Sequence, residues 1–144
     1  MRNLVLVAVD GSDGSQRALD YAIARAENSR AKILLSHVIE WSPYSFHTNE
    51  ELAARHNRRE EELGRASKQL LEPMAQHCQS HGVQAETVIA HGNTVELINQ
   101  QAQEHDVAHV VIGRRGVSGV KSMLFGSVAA NLVQSSTVPV TVVP

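Results

Sequence analysis

The sequence predicts an open, doubly wound α/β domain built on a five-stranded parallel sheet. Three observations predict it. Five short apolar runs, at residues 4–9, 31–39, 83–90, 107–112 and 137–143, are rich in valine, leucine and isoleucine, the continuous pattern of strands buried on both faces. Between them lie four stretches whose apolar residues recur at helical spacing. Strand and helix therefore alternate along the whole chain, which calls for crossover connections and a parallel sheet.

The elements follow in order. The first strand, 4–9, is broken by Asp10-Gly11-Ser12-Asp13-Gly14. A helix follows, with Leu19, Ala22, Ile23 and Ala26 on one face. Ser12 or Asp13 can cap it, and Gln16, three after Asp13, is the expected capping-box partner. After the second strand, residues 40–49 read as a loop containing Trp41, Pro43 and Tyr44, long enough for a cover or a mobile segment. Residues 49–80 are helical in pattern. Arg58-Arg59-Glu60-Glu61-Glu62 is a solvated face with local charge pairs, and Leu63, Ala66, Leu70 and Met74 form the packing stripe. Pro73 is expected to kink or restart that helix, and Gly82 to stop it. The third strand is 83–90. Asn93, with Glu96 three later, caps the next helix, whose inner face carries Val95, Ile98 and Ala102. The fourth strand is 107–112, the last helix 126–135 and the fifth strand 137–143.

Whole-chain properties narrow the function classes. A chain of 144 residues is expected to form a single domain over 1–144 with a real core. A net charge of −2 gives no electrostatic basis for nucleic acid, and 3% aromatic residues offer few stacking platforms. Cys78 is the only cysteine, so no internal disulfide forms, which fits a reducing cytosol. The apolar N-terminal stretch is too short for a secretory signal and is interrupted by Asp10. No run approaches the roughly 18 apolar residues of a membrane helix. A cytoplasmic location is expected.

Chemistry concentrates near the C-terminus. The apolar run Val110-Val111-Ile112 stops at Gly113, Gly116 follows after two residues, and Gly126-Ser127 opens the last helix nine residues later. Glycine permits left-handed backbone angles and close approach of a ligand, and a helix N-terminus adds unpaired N–H donors with a partial positive charge. The competing reading is that these glycines only shape turns. It weakens because two glycine elements flank one loop beyond a strand's carboxyl end, where open α/β sheets bind ligands. Micromolar affinity needs about 8 kcal/mol, and a charge-assisted hydrogen bond supplies roughly 1.5–3 kcal/mol. A two-sided phosphate cradle with a nucleoside pocket reaches that total, whereas one turn does not.

The spacing G-x2-G-x9-G-[ST], filled by Gly113, Gly116, Gly126 and Ser127, resembles the ATP-binding signature of the universal stress protein family. VAVDGS (7–12) is similar to that family's first strand and acidic turn, and VPVTVV (138–143) to its last strand. Arg114 departs from the pattern, standing where the family often has a small residue, and is expected to adjust phosphate contacts. The resemblance implies a three-layer α/β/α fold with strand order 3-2-1-4-5 and four main helices. It implies ATP with Mg²⁺ across the ends of strands 1 and 4. Ala8 and Val9 would frame the adenine through backbone contacts, with Val38 at the matching position in strand 2. Asp10 would be a polar partner for the nucleoside. Ile112, Gly113, Arg114 and Gly116 would form the phosphate turn, and Gly126, Ser127 and Val128 would present N–H groups, Ser127 doubling as N-cap. A homodimer through the apolar terminal strand is also implied.

Each residue has a structural alternative. Asp10 is equally suited to forming or capping a turn, Val38 to plain packing, and Lys121 to solvent as much as to phosphate. The stretch from Gly116 to Ser122 is not a P-loop, because a valine separates Gly119 from Lys121. No G-x-G-x-x-G follows strand 1, which disfavours a dinucleotide-dependent dehydrogenase. His77 and His81 share a helical face beside Cys78, but no third metal ligand stands at a known spacing. No nucleophile–base pair is readable, so binding is better supported than turnover. The functional expectation is an ATP-binding stress-response regulatory protein, in which occupancy alters loops 43–49 and 117–125. The alternatives are a slow ATPase using Asp10 and a metal-bound water, or an interaction module with an empty or AMP-filled pocket.

Overall fold

The computed structural model describes residues 3–40, 49–115 and 126–144. Gly116, Lys121, the expected loop 117–125 and all of the expected loop 43–49 but Asn49, which opens the second helix, lie outside the described residues. Along the chain run β1 (Leu4–Ala8), α1 (Asp13–Ser29), β2 (Lys32–Glu40), α2 (Asn49–Ala66), a π-helical turn (Ser67–Leu71), α3 (Glu72–Ser80), β3 (Ala85–Gly92), α4 (Thr94–Glu104), β4 (His109–Gly113), α5 (Ser127–Ser135) and β5 (Val140–Val143). The five strands form one parallel sheet in the order β3-β2-β1-β4-β5. β1 pairs with β2 on one side (Val7 opposite Leu35) and with β4 on the other (Val7 opposite Val111). The chain thus changes winding direction at β1, which sets the carboxyl ends of β1 and β4 side by side.

Alternation along the strands splits the core in two. On one face Val7, Val9, Ile33, Leu35 and Val111 pack against Ala18, Leu19, Ala22, Ile23 and Ala26 of α1 and against Leu71, Met74 and Cys78. On the other face Leu4, Leu6, Leu34, Val110 and Ile112 meet Ile98 and Ala102 of α4 and Ala129 and Leu132 of α5. The helical stripe read for α1 is therefore its buried face.

Several boundaries differ from the sequence reading, and two share a cause. Val83 and Val107 were expected to begin strands 3 and 4. Instead each closes the preceding helix. The Val83 N–H donates to the Cys78 carbonyl and Gly82 N–H to Gln79, at 3.0 and 2.9 Å, with Gly82 at φ 73°. The Val107 N–H donates to Ala102 and Asp106 N–H to Gln103, with Asp106 at φ 52°. Both are helix ends in which a left-handed residue turns the chain and the next apolar residue plugs the last turn. At the other edge, Pro139 lacks an N–H, and β5 begins only at Val140.

The helix expected over 49–80 restarts as predicted at Pro73, but without a loop. The Glu72 N–H reaches back to the Ser67 carbonyl, a wide turn that places Pro73 in the first turn of α3, where a missing N–H costs little. The extra residue in that turn shifts the packing stripe: Leu71 joins Met74 and Cys78 in the core, whereas Leu63, Ala66 and Leu70 are half-buried. At α1, Ser12 is the cap, its Oγ accepting from Ser15 N–H at 3.1 Å. The expected Asp13–Gln16 capping box does not form, because Gln16 Nε2 donates to Asp20 instead. Asn93 caps α4 as read, accepting from the Glu96 N–H at 3.0 Å.

His77 and His81 tie α3 to α1, contacting Asp20 and Glu27 respectively at 2.9 Å. Cys78 points the opposite way into the core and is 0% exposed, with its thiol pushed up to about 11 chiefly by burial. Because the thiolate is the reactive form, a disulfide reagent at pH 8 is expected to label the urea-unfolded chain promptly and the folded chain at least ~100-fold more slowly. Equal labelling rates would place Cys78 at the surface, contrary to this packing.

Candidate functional site

The carboxyl end of β1 is shaped by a chain of short polar contacts. Asp10 Oδ1 accepts from the Ser12 N–H at 3.0 Å and from Ser12 Oγ at 2.5 Å. Ser15 Oγ donates to the Ser12 carbonyl at 3.0 Å and accepts weakly from the Asp10 N–H at 3.3 Å. Gly11 takes φ 81° to make the bend. The half-buried Asp10 carboxylate therefore performs the turn-forming role that its position allowed, and is fixed at the sheet edge by it.

Beside it, the end of β4 is locked to α1 backbone to backbone. A Cβ on Gly113 would lie 2.7 Å from the Gly14 carbonyl oxygen and 2.8 Å from its carbon, and a Cβ on Gly14 would lie 2.5 Å from the Arg115 carbonyl oxygen. Neither position has room for a side chain. The turn is also held from the far side: the Arg114 N–H donates to the Val143 carbonyl, and the Arg114 carbonyl accepts from the Gly126 N–H, both at 2.7 Å. Four segments meet here: the β1–α1 turn, the end of β4, the end of β5 and the start of α5.

This clasp corrects part of the phosphate reading. The Gly126 N–H is already engaged by Arg114, so it is not one of the amides open to an anion. Ser127 is not the cap either; Gly126 is, and no side chain caps the helix. The reason is local: the carbonyl of Arg114 reaches the N-cap amide first, leaving the serine as the first helical residue. The first helical bond runs from Ala130 N–H to the Gly126 carbonyl. The Ser127 and Val128 amides thus belong to the first turn, which intrahelical bonds do not use.

Of the two arginines, Arg114 is exposed and contributes backbone. Arg115 is half-buried, and its Nε is wholly buried without a hydrogen-bond partner. Sequence reasoning singled out Arg114 and missed Arg115. The only signal was the adjacency of two arginines inside a glycine turn, and which one faces inward depends on the clasp.

The apolar residues of the expected site divide between the two faces of the sheet. Beneath α4 and α5, Ala8 is half-buried and Ile112, expected in the phosphate turn, is buried in the core; Val128, expected for its N–H, is a half-buried residue of α5 packed against that core. Val38, half-buried, follows Ser36 on the same face, where Ser36 Oγ donates to Gln101 of α4. Val9 faces α1 instead. Its N–H donates to the Ser36 carbonyl at 2.9 Å, and its carbonyl takes His37 Nδ1 at 2.7 Å. Those bonds engage both backbone polar groups of Val9.

The residues present fit an anionic group. A guanidinium nitrogen buried without a partner is costly unless a charge-compensating acceptor meets it. It lies one residue from a carbonyl clasped to an uncapped helix N-terminus, where anions are favoured.

An open, doubly wound parallel sheet with glycine turns and helix N-termini at its switch point defines a three-layer α/β protein. The description "Universal stress protein family" matches residues 1–144, and the chain belongs to that family. It is similar to Universal stress protein YxiE of Bacillus subtilis (strain 168), 36% identical over 156 residues that cover 99% of each chain. Its fold is similar to that of Universal stress protein UspA from Lactobacillus plantarum, with a TM-score of 0.85 at 22% identity over 100% and 99% of the two chains. It is also similar to a universal stress protein solved in complex with cAMP, with a TM-score of 0.70 at 25% identity over 98% and 96%.

Proposed function

We propose that this chain is an ATP-binding regulatory protein of the stress response, acting in the cytoplasm, that holds the nucleotide, with Mg²⁺, at the carboxyl ends of β1 and β4. The observation that carries the reading is the buried, unpartnered Nε of Arg115, the residue whose carbonyl packs against Gly14 at the Gly14–Gly113 junction. Asp10, Ala8 and Val38 would hold the nucleoside. The Gly113–Gly116 turn and the first-turn amides of Ser127 and Val128 would hold the phosphates, with Arg115 neutralising charge from below. The related cAMP complex supports an adenine-nucleotide site and favours a second reading, in which a monophosphate is the resident ligand. A homodimer through the apolar edge strand β5 belongs to the same proposal.

Isothermal titration with ATP, ADP, AMP and cAMP separates these readings. Micromolar binding that strengthens with phosphate number and with Mg²⁺ is expected. Preference for AMP or cAMP would transfer the site to the monophosphate reading, and no binding of any of the four would remove the pocket. Phosphate release from bound ATP is expected to stay at the blank rate. Light scattering is expected to give twice the 15.7 kDa chain mass, and a single-chain mass at micromolar concentration would rule out the dimer.

A further inference from the structure

At the other end of the sheet's carboxyl edge, His91 is the penultimate residue of β3. Its side chain is 7% exposed, and both ring nitrogens are buried without a hydrogen-bond partner. Nε2 lies 3.5 Å from Oε2 of Glu62 on α2, too far for a good hydrogen bond. The charged groups acting on it all come from α2: Arg59, Glu62, Arg55 and Glu60. From β2 its register partner is the uncharged Ile39. His37, two residues back on that strand, is bonded to the Val9 carbonyl. Glu40, on the alternate face, accepts from Thr94 Oγ1.

We propose that His91 is a proton-operated latch between β3 and α2: the neutral ring lets α2 dock on the sheet, and the protonated ring releases that helix. Protonation would place a charge on a mostly buried side chain within the influence of two guanidiniums, Arg59 and Arg55. Glu62 opposes this, but its side chain is 48% exposed, so solvent screens its attraction. The backbone of His91 is fixed by the sheet. It is held in register with Ile39, and the following Gly92 sits at φ 149° with Leu97 Cδ1 3.0 Å from where a Cβ would be. The yielding partner is α2, none of whose described side chains is fully buried. Weakly packed elements of this kind open locally at small cost.

The sign follows from linkage. Burial first, then Arg59, lowers the His91 pKa from 6.5 while α2 is docked. The undocked state therefore binds more protons below pH 6.5, so docking keeps its full stability above that pH and weakens as pH falls from there through the lower docked-state pKa. The latch does not depend on the nucleotide reading.

Hydrogen exchange of α2 amides, corrected for intrinsic rates, tests it between pH 7.5 and 5.0. Wild-type α2 is expected to lose protection severalfold at the lower pH, while β1 and β4 stay protected. The change should disappear in His91→Gln, shrink in Arg59→Gln and grow in Glu62→Gln. Equal loss in wild type and His91→Gln would overturn the proposal, as would no loss in wild type. Should His91→Gln fail to fold, the wild-type His91 ring is followed by NMR. A titration below the ordinary histidine range, shared by α2 resonances, supports the latch, and an ordinary titration without them refutes it.

Discussion

Gly113→Ala is expected to be the most damaging single-methyl change in this chain. The added carbon would lie 2.7 Å from the Gly14 carbonyl oxygen, inside van der Waals contact with backbone that cannot rotate away. α1 must then lift from the end of β4, and overpacking of this kind costs about 1–3 kcal/mol, occasionally more. Because both colliding partners are main chain, a value near ~3 kcal/mol is expected, lowering Tm by roughly 10 °C for a chain of this size. Gly14→Ala meets the Arg115 carbonyl from the other side, so the two changes strain one junction. Their combination should cost less than the sum of the single effects. Gly64, in α2 with nothing within 4 Å of its would-be Cβ, is the control: Gly64→Ala should stabilise by about 0.5–1 kcal/mol through helix propensity. Urea melts of the four variants decide the matter. If Gly113→Ala unfolds at the wild-type midpoint, the interlock described here does not exist in solution.

That interlock also shows where sequence reading stops. Strands and helices were legible because apolar runs and helical spacing are local signals, and Leu19, Ala22, Ile23 and Ala26 are buried on the face they marked. Strand ends were less legible. Val83 and Val107 look like strand residues, yet their burial serves the helix before them, since a left-handed Gly82 or Asp106 folds them back. Asp106 carries no glycine signal, and its left-handed backbone shows only in the bonds that close the end of α4. The candidate site was legible as a set of glycines but not as a division of labour. Gly113 makes room for Gly14, a residue distant in sequence, and no spacing rule reports that. The Gly126 amide is spent on Arg114, and the inward arginine is the second of the pair. Strand order came from likeness to a family, since periodicity alone does not rank neighbours in a sheet.

Arg115 offers the sharpest test of the functional reading, because its structural and ligand-binding roles predict opposite signs. If the guanidinium served the fold, Arg115→Met would leave a buried acceptor unpaired and lower stability. No such acceptor meets its Nε. Arg115→Met, which keeps the aliphatic stem, is therefore expected to leave the nucleotide-free protein as stable as wild type or slightly more so. Nucleotide binding should suffer instead. One charge-assisted contact to phosphate contributes about 1.5–3 kcal/mol, so ATP affinity is expected to fall roughly 10- to 100-fold. Arg115→Lys should recover only part of it, because an ammonium lacks the planar fork that meets phosphate oxygens in pairs. Arg114→Met, altering an exposed side chain whose backbone makes the clasp, should change affinity little. The decisive measurement pairs a nucleotide-free melt with an ATP titration on each variant. A destabilised Arg115→Met that still binds ATP at wild-type affinity would make the Arg115 guanidinium a structural post and leave the phosphates to be held by backbone alone.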